Sequence, residues 1–175
     1  MTRTPCKLSL AAVIGALGLV CWVAAGVDAS TTPQVELDAS QTGPRAVESL
    51  TEKAIVRDYT QAWNSLAEAL DHNQPDFLNG YFVGTAQEQL AAAVADQKAT
   101  DIRVHYLGQR HQLKAVFYAP EGDVMELQDT LECDLQVTDG TAVIHQEHAT
   151  VRYVILMTPG ADRWVVRHMQ AVSAF

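Results

Sequence analysis

The chain has 175 residues, 48% of them hydrophobic, and carries a formal net charge of −9 at pH 7. This length suits one domain with appendages, and the apolar content excludes wholesale disorder. Because phosphate contacts need Lys or Arg, an acidic chain without a basic run is not expected to bind nucleic acid.

The N-terminal arm contains a long apolar run. The run begins at Leu8 and ends at Ala25, and the basic residues Arg3 and Lys7 precede it. As a helix it would span about 27 Å, slightly less than a hydrocarbon core of about 30 Å. Secretory signals have shorter apolar stretches of about 7–15 residues, yet Val27-Asp28-Ala29 offers a cleavage site. Residues 1–29 are therefore predicted to be a signal anchor or a signal peptide.

Either form of this arm places the rest of the chain outside the cytoplasm, because the positive flank stays inside. The domain is expected to be anchored in a membrane through residues 8–25, or to be secreted or periplasmic if cleaved after Ala29. Residues 30–47 are rich in Ser, Thr, Pro, Gly and Gln, which predicts a flexible linker. One folded domain is predicted over residues 48–175.

Two helices are predicted at the start of this domain. Ser49-Leu50-Thr51-Glu52 fits a capping box, and an apolar stripe at helical spacing follows it. The stripe consists of Ile55, Tyr59, Ala62, Trp63, Leu66 and Leu70. The helix is expected to break at His72-Asn73-Gln74-Pro75. A second capping box, Thr85-Ala86-Gln87-Glu88, opens an alanine-rich helix that runs to about Lys98.

The chain after Asp101 alternates as strands do. Residues 102–106 and 113–118 are predicted to form two strands, and residues 163–172 the last one. Between them, the run from Val124 to Met157 is predicted to be one long β-hairpin. Helices followed by antiparallel strands indicate an α+β layer fold.

The loop of this hairpin decides which residues face each other. A two-residue loop, Asp139-Gly140, and a three-residue loop, Thr138-Asp139-Gly140, differ by one residue in register. The three-residue loop sets apolar residues opposite each other, as where Leu127 faces Val151. Such cross-strand pairs contribute about 0.2–1 kcal/mol each, which favours this register.

Three polar residues then fall on the apolar side of the hairpin: Asp129, His145 and Glu147. In this register Cys133 faces His145, and Glu147 is diagonal to Asp129. They form the one chemically suggestive cluster of the chain. The six histidines show no metal-ligand spacing, so neither a metal nor a cofactor is predicted.

One stretch of the first helix, Tyr59-Thr60-Gln61-Ala62-Trp63-Asn64, resembles the nuclear transport factor 2-like superfamily, also called SnoaL-like. Leu66, Leu70, the Tyr81-Phe82 segment and the long C-terminal strands continue the resemblance, which covers about residues 48–175. It implies a cone in which a curved antiparallel sheet wraps the N-terminal helices, with an apolar cavity at the wide end. Such cones host isomerases, dehydratases and cyclases. They also host noncatalytic domains, including membrane-tethered periplasmic domains of type IV secretion assembly proteins and proteins associated with mammalian-cell-entry transporters.

The resemblance also implies candidate roles. In steroid-isomerase-like members a cavity carboxylate abstracts a proton beside a carbonyl, and Asp129 is the candidate for this role. His145 could relay a proton, Glu147 could supply a second carboxylate, and Tyr59 could donate a hydrogen bond to an oxyanion. The expected lining of the cavity is Tyr59, Trp63, Leu127, Leu131, Cys133 and Tyr153. Two plainer alternatives are that the polar residues are solvated at the strand ends, or that Asp129 and His145 form a buried pair.

Two classes of function are compatible with these features. The favoured one is a noncatalytic exported domain, held at the membrane, that binds a protein partner or a small apolar ligand. The alternative is a SnoaL-like isomerase, cyclase or dehydratase acting on a small hydrophobic carbonyl compound. Homodimerisation through the open sheet face is a further possibility. A deep pocket lined by Tyr59, Asp129 and His145 would favour chemistry, whereas a filled cone would favour an interaction module.

Overall fold

The structure, a computed structural model, describes residues 32–175. The predicted signal segment, residues 1–29, lies outside the described residues. Within the described part of the chain, no helix is both long enough and apolar enough to cross a membrane.

Both predicted helices are present. α1 is Ser49–His72 and α2 is Gly84–Thr100, with a short 3-10 helix, Pro75–Gly80, between them. All six residues of the predicted stripe of α1 are buried. α1 ends as expected at Asn73, whose φ of 52° is left-handed, a conformation that asparagine tolerates better than most residues.

The prediction of two capping boxes is wrong. The N-cap residues are Glu48 for α1 and Val83 for α2, and neither makes a side-chain capping hydrogen bond. α1 therefore begins one residue earlier than the box requires. The Thr85 hydroxyl instead donates to the backbone carbonyl of Arg167, which ties the start of α2 to the last strand.

One mixed sheet of six strands packs against the helices. The strands are β1 (Gln34–Asp38), β2 (Gly43–Pro44), β3 (Ile102–Tyr118), β4 (Met125–Asp139), β5 (Ala142–Pro159) and β6 (Trp164–Val172). Their order is β1-β3-β4-β5-β6, and β2 also pairs with β3. The α+β fold is confirmed. The sheet is mixed rather than wholly antiparallel, because β1 and β2 run parallel to β3.

Part of the predicted linker is folded. Val35 and Leu37 pack against the core, whereas the residues that alternate with them on β1 are exposed. This alternation marks a half-buried strand, and the surrounding Ser, Thr, Pro and Gly obscured it in the composition. The prediction of a flexible tether is therefore wrong for residues 34–38.

The two strands predicted between residues 102 and 118 are one continuous strand. The break that separates them in the sequence is a register shift between Leu107 and Arg110. Gly108 lies in this irregularity with a φ of 60°, a conformation that glycine adopts without steric cost. Such bulges bend a strand and increase its twist, which suits a sheet that curves around α1.

The long hairpin is present, but its predicted register is wrong. Asp139 pairs with Ala142, so the loop is Gly140-Thr141, and a further irregularity in β5 adds one residue. Leu127 consequently faces Ile155, which lies four residues beyond the predicted partner, Val151. Because this slip is an even number of residues, Leu127 and Val151 still lie on the same face of the sheet.

Gly140 provides a test of this turn. Its φ is 56°, at the first loop position, where type II′ turns place glycine, and no atom lies within 4 Å of an added Cβ. We expect Gly140→Ala to lower the free energy of unfolding by about 1–2 kcal/mol through backbone strain alone. Urea denaturation would measure the change. The control Thr141→Ala should stay within about 0.5 kcal/mol of the parent, and equal effects of the two variants would contradict the turn.

Candidate functional site

The buried carboxylate of Asp129 lies on β4, beneath α1. Its Oδ2 atom accepts a hydrogen bond of 2.8 Å from the hydroxyl of Tyr59 on α1. Nδ1 of His111, on β3, lies 2.8 Å from the same oxygen. All three side chains are buried. Together with Gln109, which contacts His111, they are called the Asp129 cluster below.

The orientation of the Gln109 side chain shows which nitrogen of His111 carries a proton. Its Nε2 atom donates to the carbonyl oxygen of Tyr106, so Oε1 is the atom that faces His111 Nε2 at 3.3 Å. An amide oxygen can only accept, so Nε2 of His111 must carry a proton. The contact between His111 and Asp129 holds a second proton, whichever of the two carries it. The pair is therefore neutral as a whole, although both members are ionisable.

The second oxygen of Asp129 is unusual. Oδ1 is the one buried side-chain polar atom, among the residues that the structure describes, without a hydrogen-bond partner. Leaving a buried acceptor unpaired costs about 1–3 kcal/mol. This unpaired oxygen is the feature that favours a role for Asp129 as a base.

The other ionisable groups around the cluster are held neutral. Burial, and then the charge of Asp129, raises the pKa of Tyr59 well above its ordinary value. Burial likewise raises the pKa of Tyr106 and Tyr153. It raises the pKa of the Cys133 thiol to about 11. At neutral pH the three phenols are hydrogen-bond donors, and Cys133 is an unreactive thiol.

His145 and Glu147 lie far from Asp129. They face Val137 and Leu135 of β4, positions at least about 20 Å along the strand from Asp129. Their side chains are 54% and 55% exposed and approach each other at 3.6 Å. The predicted proximity of these two residues to Asp129 is wrong, because the loop and the irregularity in β5 move them toward the hairpin tip. The predicted facing of Cys133 and His145 is wrong for the same reason.

His111 and Gln109 are the cluster members that the sequence analysis did not predict. The second predicted strand begins at Leu113, which left His111 in an apparent gap. The signal was nevertheless present, because His111, Leu113 and Ala115 alternate as the buried face of β3. Extending the alternation by one step toward the N-terminus would have placed a histidine opposite the buried face of α1.

The interior of the cone is filled by side chains. The ring of Trp63 lies 4.6 Å from that of His111 and 5.7 and 5.9 Å from those of Tyr106 and Tyr153. These aromatic rings separate the Asp129 cluster from a cavity of about 140 Å³. The cavity is lined by Leu66, Leu70, Leu90, Ala93, Tyr106, Tyr153 and Met169.

Of the six residues expected to line a cavity, Tyr153 is the one that lines this cavity. The other five are packed in the core: Tyr59, Trp63, Leu127, Leu131 and Cys133. The structure thus joins two of the predicted catalytic residues, Tyr59 and Asp129, and encloses them. Tyr59 donates its hydrogen bond to Asp129 itself rather than into the cavity.

Comparison with known proteins reveals a likeness of fold. No family model matches the chain, and no curated protein matches it. The intermembrane space region of the chloroplast protein ARC6 aligns with a TM-score of 0.56 at 14% identity, over 75% of this chain and 100% of that one. The chain has the fold of the nuclear transport factor 2-like superfamily. The predicted resemblance and fold class are confirmed.

Two further solved structures align less closely with this nuclear transport factor 2-like fold. CagV, a VirB8 homolog of T4SS from Helicobacter pylori, has a TM-score of 0.48 at 13% identity, over 70% of this chain and 99% of that one. ActVI-ORFA from Streptomyces coelicolor has a TM-score of 0.45 at 13% identity, over 70% and 98%. At these identities the likeness concerns the fold and leaves function to the site itself.

Proposed function

We propose that the chain is a noncatalytic, exported domain, held at a membrane by residues 8–25, that binds a protein partner. The filled cone is the observation that carries this proposal. Pockets for small molecules usually have about 300–1,000 Å³, against about 140 Å³ here. A cavity of this size would hold a molecule about as large as benzene, whereas a protein partner needs only surface.

Two other features support this proposal. The apolar run from Leu8 to Ala25 follows basic residues, as expected of an anchor whose domain is exported. The ARC6 neighbour is an intermembrane space region, which is in keeping with a domain that works outside the cytoplasm.

The alternative function is an isomerase, cyclase or dehydratase acting on a small hydrophobic carbonyl compound. The observation that favours it is the contact between Tyr59 and Asp129, together with the unpaired Oδ1 atom. For Asp129 to reach a substrate, however, Trp63 would have to move, and Tyr59 would have to release Asp129. The proposal therefore ranks this function second.

Two variants distinguish these functions. We expect Asp129→Asn, which keeps the shape of the side chain but removes its basicity, to leave the cellular phenotype of the gene unchanged. Deletion of residues 8–25 should abolish it, because the domain would lose its place at the membrane. Complementation of a deletion strain would measure both, with thermal unfolding of the purified variants as the control for folding. A folded Asp129→Asn protein that fails to complement would overturn the noncatalytic function.

A further inference from the structure

A surface cleft of about 270 Å³ lies between α1 and the turn that joins β5 to β6. Its lining consists of charged and polar residues and one tyrosine, and it includes two arginines: Arg57, Asp58, Gln61, Tyr81, Asp162 and Arg163. None of these residues belongs to the Asp129 cluster. The cleft is therefore a separate feature of the domain.

Arg57 is held in place by a buried carboxylate. Asp58 is only 3% exposed, and its two oxygens accept hydrogen bonds of 2.7 and 3.0 Å from Nε and Nη2 of Arg57. The backbone N–H of Trp164 donates to the same carboxylate at 2.8 Å. The side chain of Arg57 is nevertheless 61% exposed. A fixed aspartate thus orients an arginine whose outer edge faces the cleft.

Arg163 pairs with Asp162, whose side chain is 68% exposed, and stacks on Tyr81. Its Nε and Nη2 atoms donate to Asp162 at 2.9 and 2.7 Å. Its guanidinium lies over the ring of Tyr81, 4.9 Å from the ring centre. Stacking and the bidentate contact both restrict the side chain, so little conformational entropy remains to be lost when it binds a ligand.

The two guanidinium groups influence each other. Asp58 raises the pKa of Arg57, and the charge of Arg163 opposes that rise. Both residues line the same cleft. In Arg57 the Nε–Nη2 edge is occupied by Asp58, and the Nη1–Nη2 edge remains. Within the described part of the chain, Nη1 of Arg57 has no hydrogen-bond partner.

We propose that this cleft binds a carboxylate group presented by an acidic segment of the protein partner. The inference rests on the proposed function and names the chemistry by which that partner is recognised. The planar pair of oxygens in a carboxylate matches the free edge of a guanidinium. Asp58 and Asp162 neutralise the charges of the two arginines. The cleft therefore has little net positive charge with which to bind a phosphate dianion, which carries more negative charge than a carboxylate.

The test is an NMR titration of the full chain in detergent micelles. The side-chain Nε–H signals of Arg57 and Arg163 and the backbone amide of Trp164 report on the cleft. The probes are acetate, inorganic phosphate and an end-capped peptide of alternating glycine and glutamate. We expect saturable shifts with acetate and with the peptide. Arg57→Gln should weaken peptide binding at least about tenfold, because a charge-assisted hydrogen bond is lost.

Arg152→Gln is the matched control, because Arg152 is an exposed arginine on β5, outside the cleft. It should leave peptide binding unchanged. Equal weakening by Arg152→Gln and Arg57→Gln would show that only overall charge matters, and would overturn the proposal. Tighter binding of phosphate than of either carboxylate probe would overturn the ligand class. An absence of saturable shifts with all three probes would overturn the site.

Cross-linking in cells separates this inference from the proposed function. If the parent chain captures a partner and the variant carrying both Arg57→Gln and Arg163→Gln captures it equally, docking through the cleft is wrong and the proposed function stands. If the parent captures no partner, the proposed function fails, and so does the assignment of the cleft to a protein ligand. The titration then still decides whether the cleft binds a carboxylate.

Discussion

Asp129→Ala is expected to lower the free energy of unfolding by about 3–5 kcal/mol, the usual cost of removing one partner of a buried ion pair or its neutral equivalent. The substitution leaves the hydroxyl of Tyr59 and Nδ1 of His111 buried without the oxygen that both contact. Urea denaturation followed by fluorescence of the buried Trp63 would measure the loss.

The chain contains a matched control for this experiment. Asp134 lies on the same strand and contacts His148 at 2.9 Å, but the His148 side chain is 68% exposed. Because exposed pairs contribute about 0–1 kcal/mol, Asp134→Ala should change stability by no more than that. Similar losses for Asp129→Ala and Asp134→Ala would contradict the burial and the hydrogen bonds of the Asp129 cluster.

Replacing both members of the pair should be less harmful than replacing one. In the variant with Asp129→Leu and His111→Leu no ionisable partner remains buried alone, so part of the stability lost in Asp129→Leu should return. The recovery should be partial, because the Tyr59 hydroxyl and the Oε1 atom of Gln109 lose their partners. The double-mutant cycle would give the coupling energy between Asp129 and His111.

The sequence predicted which side chains of a helix or strand face the core better than it predicted which residues of neighbouring strands pair. The stripe of α1 and the alternation of β4 each assign side chains to the core by local spacing alone. The structure confirms the stripe, and it confirms the alternation over residues 125–133. The hairpin register depends on a loop and an irregularity that alternation does not encode. Beyond the irregularity, the slip of four residues keeps the apolar side chains on their predicted face, so Leu127 has an apolar partner whether it faces Val151 or Ile155.

In the candidate site, too, local spacing predicted some residues, whereas those at an irregularity were missed. Tyr59 and Asp129 could be named in advance because one lies on an apolar stripe and the other interrupts an apolar strand face. Their contact joins residues 70 positions apart, and the predicted α+β cone is what brings them together. His111 was missed, because it lies beside the irregularity at Gly108 and the predicted strand stopped short of it. The error therefore lies at an element boundary, where a bulge hides the continuation of a strand.

Trp63→Ala is the second variant for which we expect a large loss, again about 3–5 kcal/mol. Its side chain is among the largest that are fully buried, and its ring contacts those of Tyr59, His111, Tyr106 and Tyr153. Removal of the indole would leave a void next to the existing cavity of about 140 Å³. The measurement is urea denaturation followed by circular dichroism. Leu50→Ala on the same helix is the control, because Leu50 is 78% exposed and should contribute less than about 0.5 kcal/mol.

Added indole distinguishes a preserved void from a collapsed core. If the surrounding rings hold their positions, free indole should bind the Trp63→Ala protein and raise its melting temperature without affecting the parent, since apolar cavities bind ligands of matching shape. A variant that loses stability but does not respond to indole would mean that the neighbouring side chains close the space. Trp63 would then fill the core without keeping its neighbours apart.

The Trp63→Ala variant also tests function, because Trp63 separates the cavity from Asp129. Turnover of a small carbonyl compound by the indole-free variant, and not by the parent, would show that the buried carboxylate is competent and that the filled interior is what keeps it silent.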